Sequence, residues 1–131
     1  MQTVCGNRYG IGLLLGFVLL LQGCSDDGAP RRQPQHWQDL EIVLESRPLQ
    51  VRRGMNEFLI IATTARGLPG QDMVVSLRMT DGDEWYQTIQ DGHSGVFRRA
   101  IRVRNGQDTI QVQLRRGGEQ TVLEFPLLWA K

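Results

Sequence analysis

From Trp37 onward, apolar and polar positions alternate in short runs. Leu40, Ile42 and Leu44 alternate with Glu41, Val43 and Glu45, and Leu49 and Val51 follow Pro48. Asn56 to Thr64 (NEFLIIATT) is almost continuously apolar, as suits a central strand. Met73, Val75, Leu77 and Met79 share one parity, and WYQTIQ (Trp85 to Gln90) and VFRRAIRV (Val96 to Val103) follow. Ile110, Val112 and Leu114, then Leu123, Phe125 and Leu127, close the series. A period of two over four to eight residues is the signature of a half-buried strand. Between the runs lie Gly67-Leu68-Pro69-Gly70, Asp81-Gly82, Asp91-Gly92, Asn105-Gly106 and Gly117-Gly118. Such pairs accept the positive φ of tight turns. No stretch beyond Trp37 shows a helical period. Residues 37–131 therefore read as one all-β domain, a small antiparallel sandwich of about seven or eight strands, with a small closed barrel as the alternative.

That architecture is similar to immunoglobulin-like modules, in architecture only. The Cys–Trp–Cys pattern of antibody domains is missing, and Trp85 is the candidate for their core tryptophan.

The opposite pattern stands at the start. Ile11 to Leu21 reads IGLLLGFVLLL, about half the roughly 20 residues a spanning helix needs. It follows a short polar stretch with one positive charge, Arg8, which is the layout of a secretory signal peptide. The run ends in Leu21-Gln22-Gly23-Cys24, which resembles the lipobox of bacterial lipoproteins, with Gln22 where that family usually has a smaller or hydroxylated residue. The resemblance covers residues 1–24. It implies removal of residues 1–23, lipid on the sulfur and new amino group of Cys24, and attachment to a membrane. Two or more acyl chains anchor stably where one does not. In this family Asp directly after the cysteine tends to retain the protein at the inner membrane. Ser25 stands there, so the resemblance implies the outer membrane, on its periplasmic side.

Residues 24–36 then form the lipidated cysteine and a flexible tether, SDDGAPRRQPQH, rich in Pro and polar residues. Its Arg31-Arg32 pair reads as solvated. The chain holds two cysteines. Cys5 leaves with the signal peptide and Cys24 carries lipid, so the domain has neither a disulfide nor the thiols of soft-metal or redox sites. The formal charge is +1, and loss of Arg8 leaves fourteen basic and fourteen acidic residues. That balance argues against nucleic acid as a partner, since such binding rests on many Lys/Arg–phosphate contacts.

Candidate chemistry is sparse. Gly92-His93-Ser94 starts like the nucleophile elbow of α/β-hydrolases. That motif needs G-x-S-x-G at a strand-to-helix turn, and here Val96 replaces the second Gly ahead of a strand. Gly92 and Gly95 read instead as a tight connection in which Asp91 or Ser94 bonds the turn backbone. For copper, His36 lies in the tether, Met73 and Met79 share parity with core positions, and His93 stands alone without H-x-x-x-H or M-x-x-M spacing. Neither a metal nor another cofactor is expected. On VFRRAIRV, Phe97, Ile101 and Val103 share a face with Arg99, while Arg98 points the other way. If the Phe97 face is core, Arg99 points inward or to the rim. It then needs a carboxylate such as Asp91, or a β-bulge to turn it out. The functional alternative makes His93, Arg98 and Arg99 a recognition patch for an acidic partner.

These features lead to a non-enzymatic accessory module, lipid-anchored through Cys24 in the bacterial cell envelope and docking an envelope protein. The alternative is a periplasmic ligand- or copper-binding domain centred on His93.

Overall fold

The computed structural model describes residues 32–80 and 84–131. The segment read as a signal peptide, Cys24 and the greater part of the segment read as a tether lie outside them. Nine strands form: β1 (Gln35–Trp37), β2 (Leu40–Arg47), β3 (Gly54–Thr64), β4 (Met73–Met79), β5 (Tyr86–Gln87), β6 (Ile89–Gln90), β7 (Val96–Val103), β8 (Thr109–Arg116) and β9 (Glu119–Pro126). They make two antiparallel sheets, one in the order β1-β2-β3-β7-β6 and the other β5-β4-β8-β9. The sheets pack face to face as a sandwich and are not closed into a barrel.

The alternation decides which face is buried. Leu40, Ile42 and Leu44 of β2, Phe58, Ile60 and Ala62 of β3, and Phe97, Ile101 and Val103 of β7 point inward from the first sheet. Met73, Val75, Leu77 and Met79 of β4, Ile110, Val112 and Leu114 of β8, and Phe125 of β9 meet them from the second. Phe58 and Phe125 have no exposed surface. Truncating such a ring to alanine costs about 3–5 kcal/mol. The near-continuous apolar run of β3 has a specific cause. Leu59 points away from the core, yet it is only 6% exposed, lying in register between Glu45 and Arg98.

Turn chemistry separates true hairpins from sheet changes. Gly117 and Gly118, with φ of 58° and 80°, join β8 to β9 in the two-residue hairpin that needs positive φ twice. Asn105-Gly106 has equally strong hairpin signals, but the chain there passes from β7 in one sheet to β8 in the other. Two other expectations change. Trp85 to Gln90 is not one strand: it breaks at Thr88, so β5 belongs to one sheet and β6 to the other. Trp85 is not in the core. Its ring stacks on the Arg78 guanidinium, 4.5 Å from the ring centroid, on the outer face of the second sheet. Arg78 Nε donates to Gln111 Oε1 (2.6 Å), and Gln111 Nε2 donates to Glu124 Oε1 (2.7 Å), so a polar row crosses that face.

The ordered sandwich also starts earlier than its alternation. β1 lies at the end of the segment read as tether, pairing Gln35 with Ile42 and Trp37 with Leu40. At the C-terminus, the backbone of Val51 pairs with the tail: its N–H donates to Leu128 O (2.7 Å), and Ala130 N–H donates to its carbonyl (3.0 Å). Val51 thus forms a single bridge to Trp129, and Leu49 and Val51 make no strand of their own.

Candidate functional site

A seam opens between the sheets where β5 and β6 part. Thr88, buried between them, donates both its N–H (2.9 Å) and its Oγ1 hydroxyl (2.8 Å) to the Val75 carbonyl of β4. This double bond pins the crossing and fixes Tyr86 opposite Leu77, with its ring on the inner side at the sheet margin. From the other sheet, Arg99 comes inward along β7. Its guanidinium lies 5.8 Å from the centroid of the Tyr86 ring, within cation–π range. Around this pair lies a cavity of about 330 Å³, lined among others by Met55, Met79, Ile101, Arg102 and Arg104. Met79 and Ile101 belong to the buried core, whereas Met55 is 53% exposed. The cleft therefore has an apolar floor, an aromatic wall and a cationic rim.

Two turns hold its lower end. Asn56, 1% exposed, accepts from Arg52 N–H (3.1 Å) and donates through Nδ2 to the carbonyls of Arg52 (2.7 Å) and Gly54 (2.9 Å). Buried Gln107 accepts at Oε1 from Arg104 N–H (2.8 Å), and its carbonyl accepts from Trp129 Nε1 (3.0 Å). A buried amide with several backbone partners holds a loop in one shape, because each unmade bond would leave a desolvated group.

The residues singled out from sequence do not converge. Arg98 is exposed on the outer face of β7, and Arg99 is half-buried on the inner face. His93 lies beyond the strand, exposed in the β6–β7 turn, with Nδ1 3.4 Å from Gln71 Oε1. In that turn Ser94 Oγ donates to the Asp91 carbonyl (2.5 Å) and accepts from Val96 N–H (3.3 Å), as expected of a structural connection. Gly95 has φ of 75°, and a Cβ there would stand 2.6 Å from the Ala62 carbonyl oxygen, so only glycine fits. Arg99 does point inward, but it meets Tyr86 and not Asp91. β7 pairs one-for-one with β3 from Val96 to Val103, so no bulge turns Arg99 out. Met73 and Met79 are core residues. Among the described residues, no three His, Cys, Asp or Glu side chains gather as a cation site.

Sequence reasoning missed Tyr86, which carries no local signal. It also passed over a legible one: RRAIRVR, residues 98–104, holds four arginines and no acid.

Arg32, read as part of a solvated pair, is 7% exposed. Its Nε donates to the Pro126 carbonyl of β9 (2.8 Å), one terminal nitrogen reaches Ser46 Oγ (3.3 Å), and the other reaches the Leu44 carbonyl of β2 (3.5 Å). The guanidinium thus bridges the two sheets at the edge opposite the Tyr86 seam. Burial lowers its pKa from the ordinary arginine value. Arg32 follows Cys24 by eight residues, which span at most about 28 Å when fully extended.

Comparison of the chain with protein-family models, with curated proteins and with solved structures finds no match.

Proposed function

We propose that this chain is a lipid-anchored, non-enzymatic accessory module of the bacterial cell envelope, held on a membrane through Cys24 and docking another envelope protein. The observation that carries the proposal is the lipobox-like Leu21-Gln22-Gly23-Cys24 behind a short apolar run, on a chain whose described residues, from Arg32 onward, fold as a sandwich. Eight residues of chain would keep the sandwich within about 28 Å of the lipid. Ser25 after the cysteine favours the periplasmic side of the outer membrane. The sandwich itself we read as immunoglobulin-like. The runs β2-β3-β7-β6 and β5-β4-β8-β9 follow the strand orders A-B-E-D and C′-C-F-G of that architecture. Modules of this kind are built to present edges and loops to partners.

The test is metabolic labelling. A bacterial host expressing the full chain and fed radioactive palmitate incorporates label into the protein, which sediments with membranes. Cys24→Ala abolishes both. Label retained by Cys24→Ala, or absent from the wild type, overturns the anchor. In-cell crosslinking of the anchored protein then gives a discrete adduct with an envelope protein. A labelled protein that yields no adduct would leave the anchor and remove the docking role.

A further inference from the structure

We infer that the free edge of β7 is a docking edge for an extended, acidic segment of a partner polypeptide, which would add to the five-stranded sheet as a further strand. The inference deepens the docking role proposed above and rests on it. It names the surface and the chemistry of what binds.

The backbone is half of the case. On one side β7 is paired with β3 along its whole length, from Val96–Ile61 to Val103–Gly54. On the other side β6 covers only Phe97 and Arg98. Asp91 N–H donates to the Val96 carbonyl (2.8 Å), so the peptide groups of Val96 point toward β6. In an antiparallel ladder a residue's N–H and C=O share one edge, and successive residues alternate. Ala100 and Arg102 therefore present their N–H and C=O at that same edge, past the end of β6. No hydrogen bond of the described residues uses them. The cavity beside Tyr86 opens along this stretch, so a chain laid there meets no covering strand among the described residues.

Charge is the other half. Without the signal peptide the chain is neutral, yet residues 98–104 hold four arginines and no acid. Arg98 and Arg102 make no hydrogen bond or ion pair with the described residues, and Arg99 meets only the Tyr86 ring. Glu57, the carboxylate beside Ala100 in register, faces Arg47 at 3.8 Å. Arg98 and Arg102 lie on the outer face and Arg99 on the inner. An added strand alternates its side chains between those faces. Carboxylates on both sides of it would meet guanidinium groups and form charge-assisted hydrogen bonds, while its peptide groups pair with Ala100 and Arg102.

Charged residues on an open edge can instead guard against self-association, and the experiment separates the two roles. The full lipidated protein in detergent micelles is titrated into a fluorescent decapeptide of alternating Glu and Thr. Saturable binding is expected, weakening with salt. It falls about tenfold or more in Arg99→Glu and in Arg102→Glu. The same peptide methylated on every backbone nitrogen, which keeps no N–H on either edge to donate to a neighbouring strand, also loses about tenfold or more. That arm leaves the protein untouched, so it stands if Ala100→Pro, the matching edge block, fails to fold. Equal binding of the methylated peptide overturns strand addition. No binding of the Glu/Thr peptide, with self-association of the arginine variants, makes the arginines edge guards and overturns the proposal. Loss of peptide binding on reconstitution into phosphatidylglycerol vesicles, but not phosphatidylcholine vesicles, gives the arginines to the membrane and also overturns it. An in-cell adduct unchanged by Arg102→Glu removes this edge but leaves the docking role, which falls only if no adduct forms at all.

Discussion

Replacing Arg32 with alanine tests whether the base of the tether is part of the fold. The side chain is 7% exposed and ties β2 to β9 through the Leu44 and Pro126 carbonyls, with Ser46 as a third partner. Only the bond to Pro126, at 2.8 Å, is short, while those at 3.3 and 3.5 Å lie at the weak limit. A buried hydrogen bond from a charged donor is worth about 1.5–3 kcal/mol. Losing the apolar stem adds to the loss. Removing a desolvated cation that has no carboxylate partner among the described residues offsets part of it. The net expectation is a loss of about 2 kcal/mol. In a domain of this size that lowers Tm by about 10 °C. Thermal unfolding followed by circular dichroism on Arg32→Ala, Arg32→Met and Arg32→Lys measures it. Met keeps the stem without donors, and Lys keeps the charge without the planar fork. The expected order is wild type, then Lys, then Met, then Ala. If both Ala and Met lie within about 0.5 kcal/mol of wild type, the range of an ordinary surface substitution, Arg32 does not bridge the sheets in solution.

Gly95→Ala places a Cβ against the Ala62 carbonyl and Pro69 and forces φ of 75° on a residue that resists it. The expected loss is about 3 kcal/mol by denaturant unfolding, and a neutral result would refute the close approach. Asn56→Leu removes three bonds to the Arg52–Gly54 turn. It should cost about 2–3 kcal/mol and speed amide exchange at Arg52, which hydrogen-exchange mass spectrometry reads directly. Asp39 is held below the ordinary carboxylate pKa, chiefly by its hydrogen bond from Arg116 at 2.6 Å. A depressed folded pKa means that the contribution is present above the ordinary carboxylate value and is lost as pH falls through the folded value. The Tm advantage of wild type over Asp39→Asn should therefore exist near neutral pH and vanish in acid. An advantage that grows in acid would contradict the pairing.

The period-two pattern on its own determined an all-β domain and the inward face of β2, β4, β8 and β9. Such a pattern states which side chains avoid water, and burial follows from that directly. It also carried the expectations that Arg99 shares the Phe97 face, inward or at the rim, and that Asp91 or Ser94 bonds its own turn, since both follow from position along one segment. The lipobox resemblance is likewise a local pattern of residues, and it stands on sequence alone. What tertiary structure alone decided were the relations between segments. β1 has no alternation of its own, and its strand form comes from the edge that β2 offers. Asn105-Gly106 carries the same turn signal as Gly117-Gly118, but one changes sheets and the other does not, because the choice lies in which strand receives the chain. Trp85 is as apolar as any core residue, yet Arg78 offers its ring a stacking face outside. Arg32 looked like any tether arginine, because the partners that join its two sheets are carbonyls, and a carbonyl's position is set by folding and leaves no mark in sequence. The same reason holds for the β7 edge. Its four arginines were legible in the chain, but that β6 stops opposite Arg98 and leaves the outer edge of Ala100 and Arg102 without a partner among the described residues is a fact of sheet order.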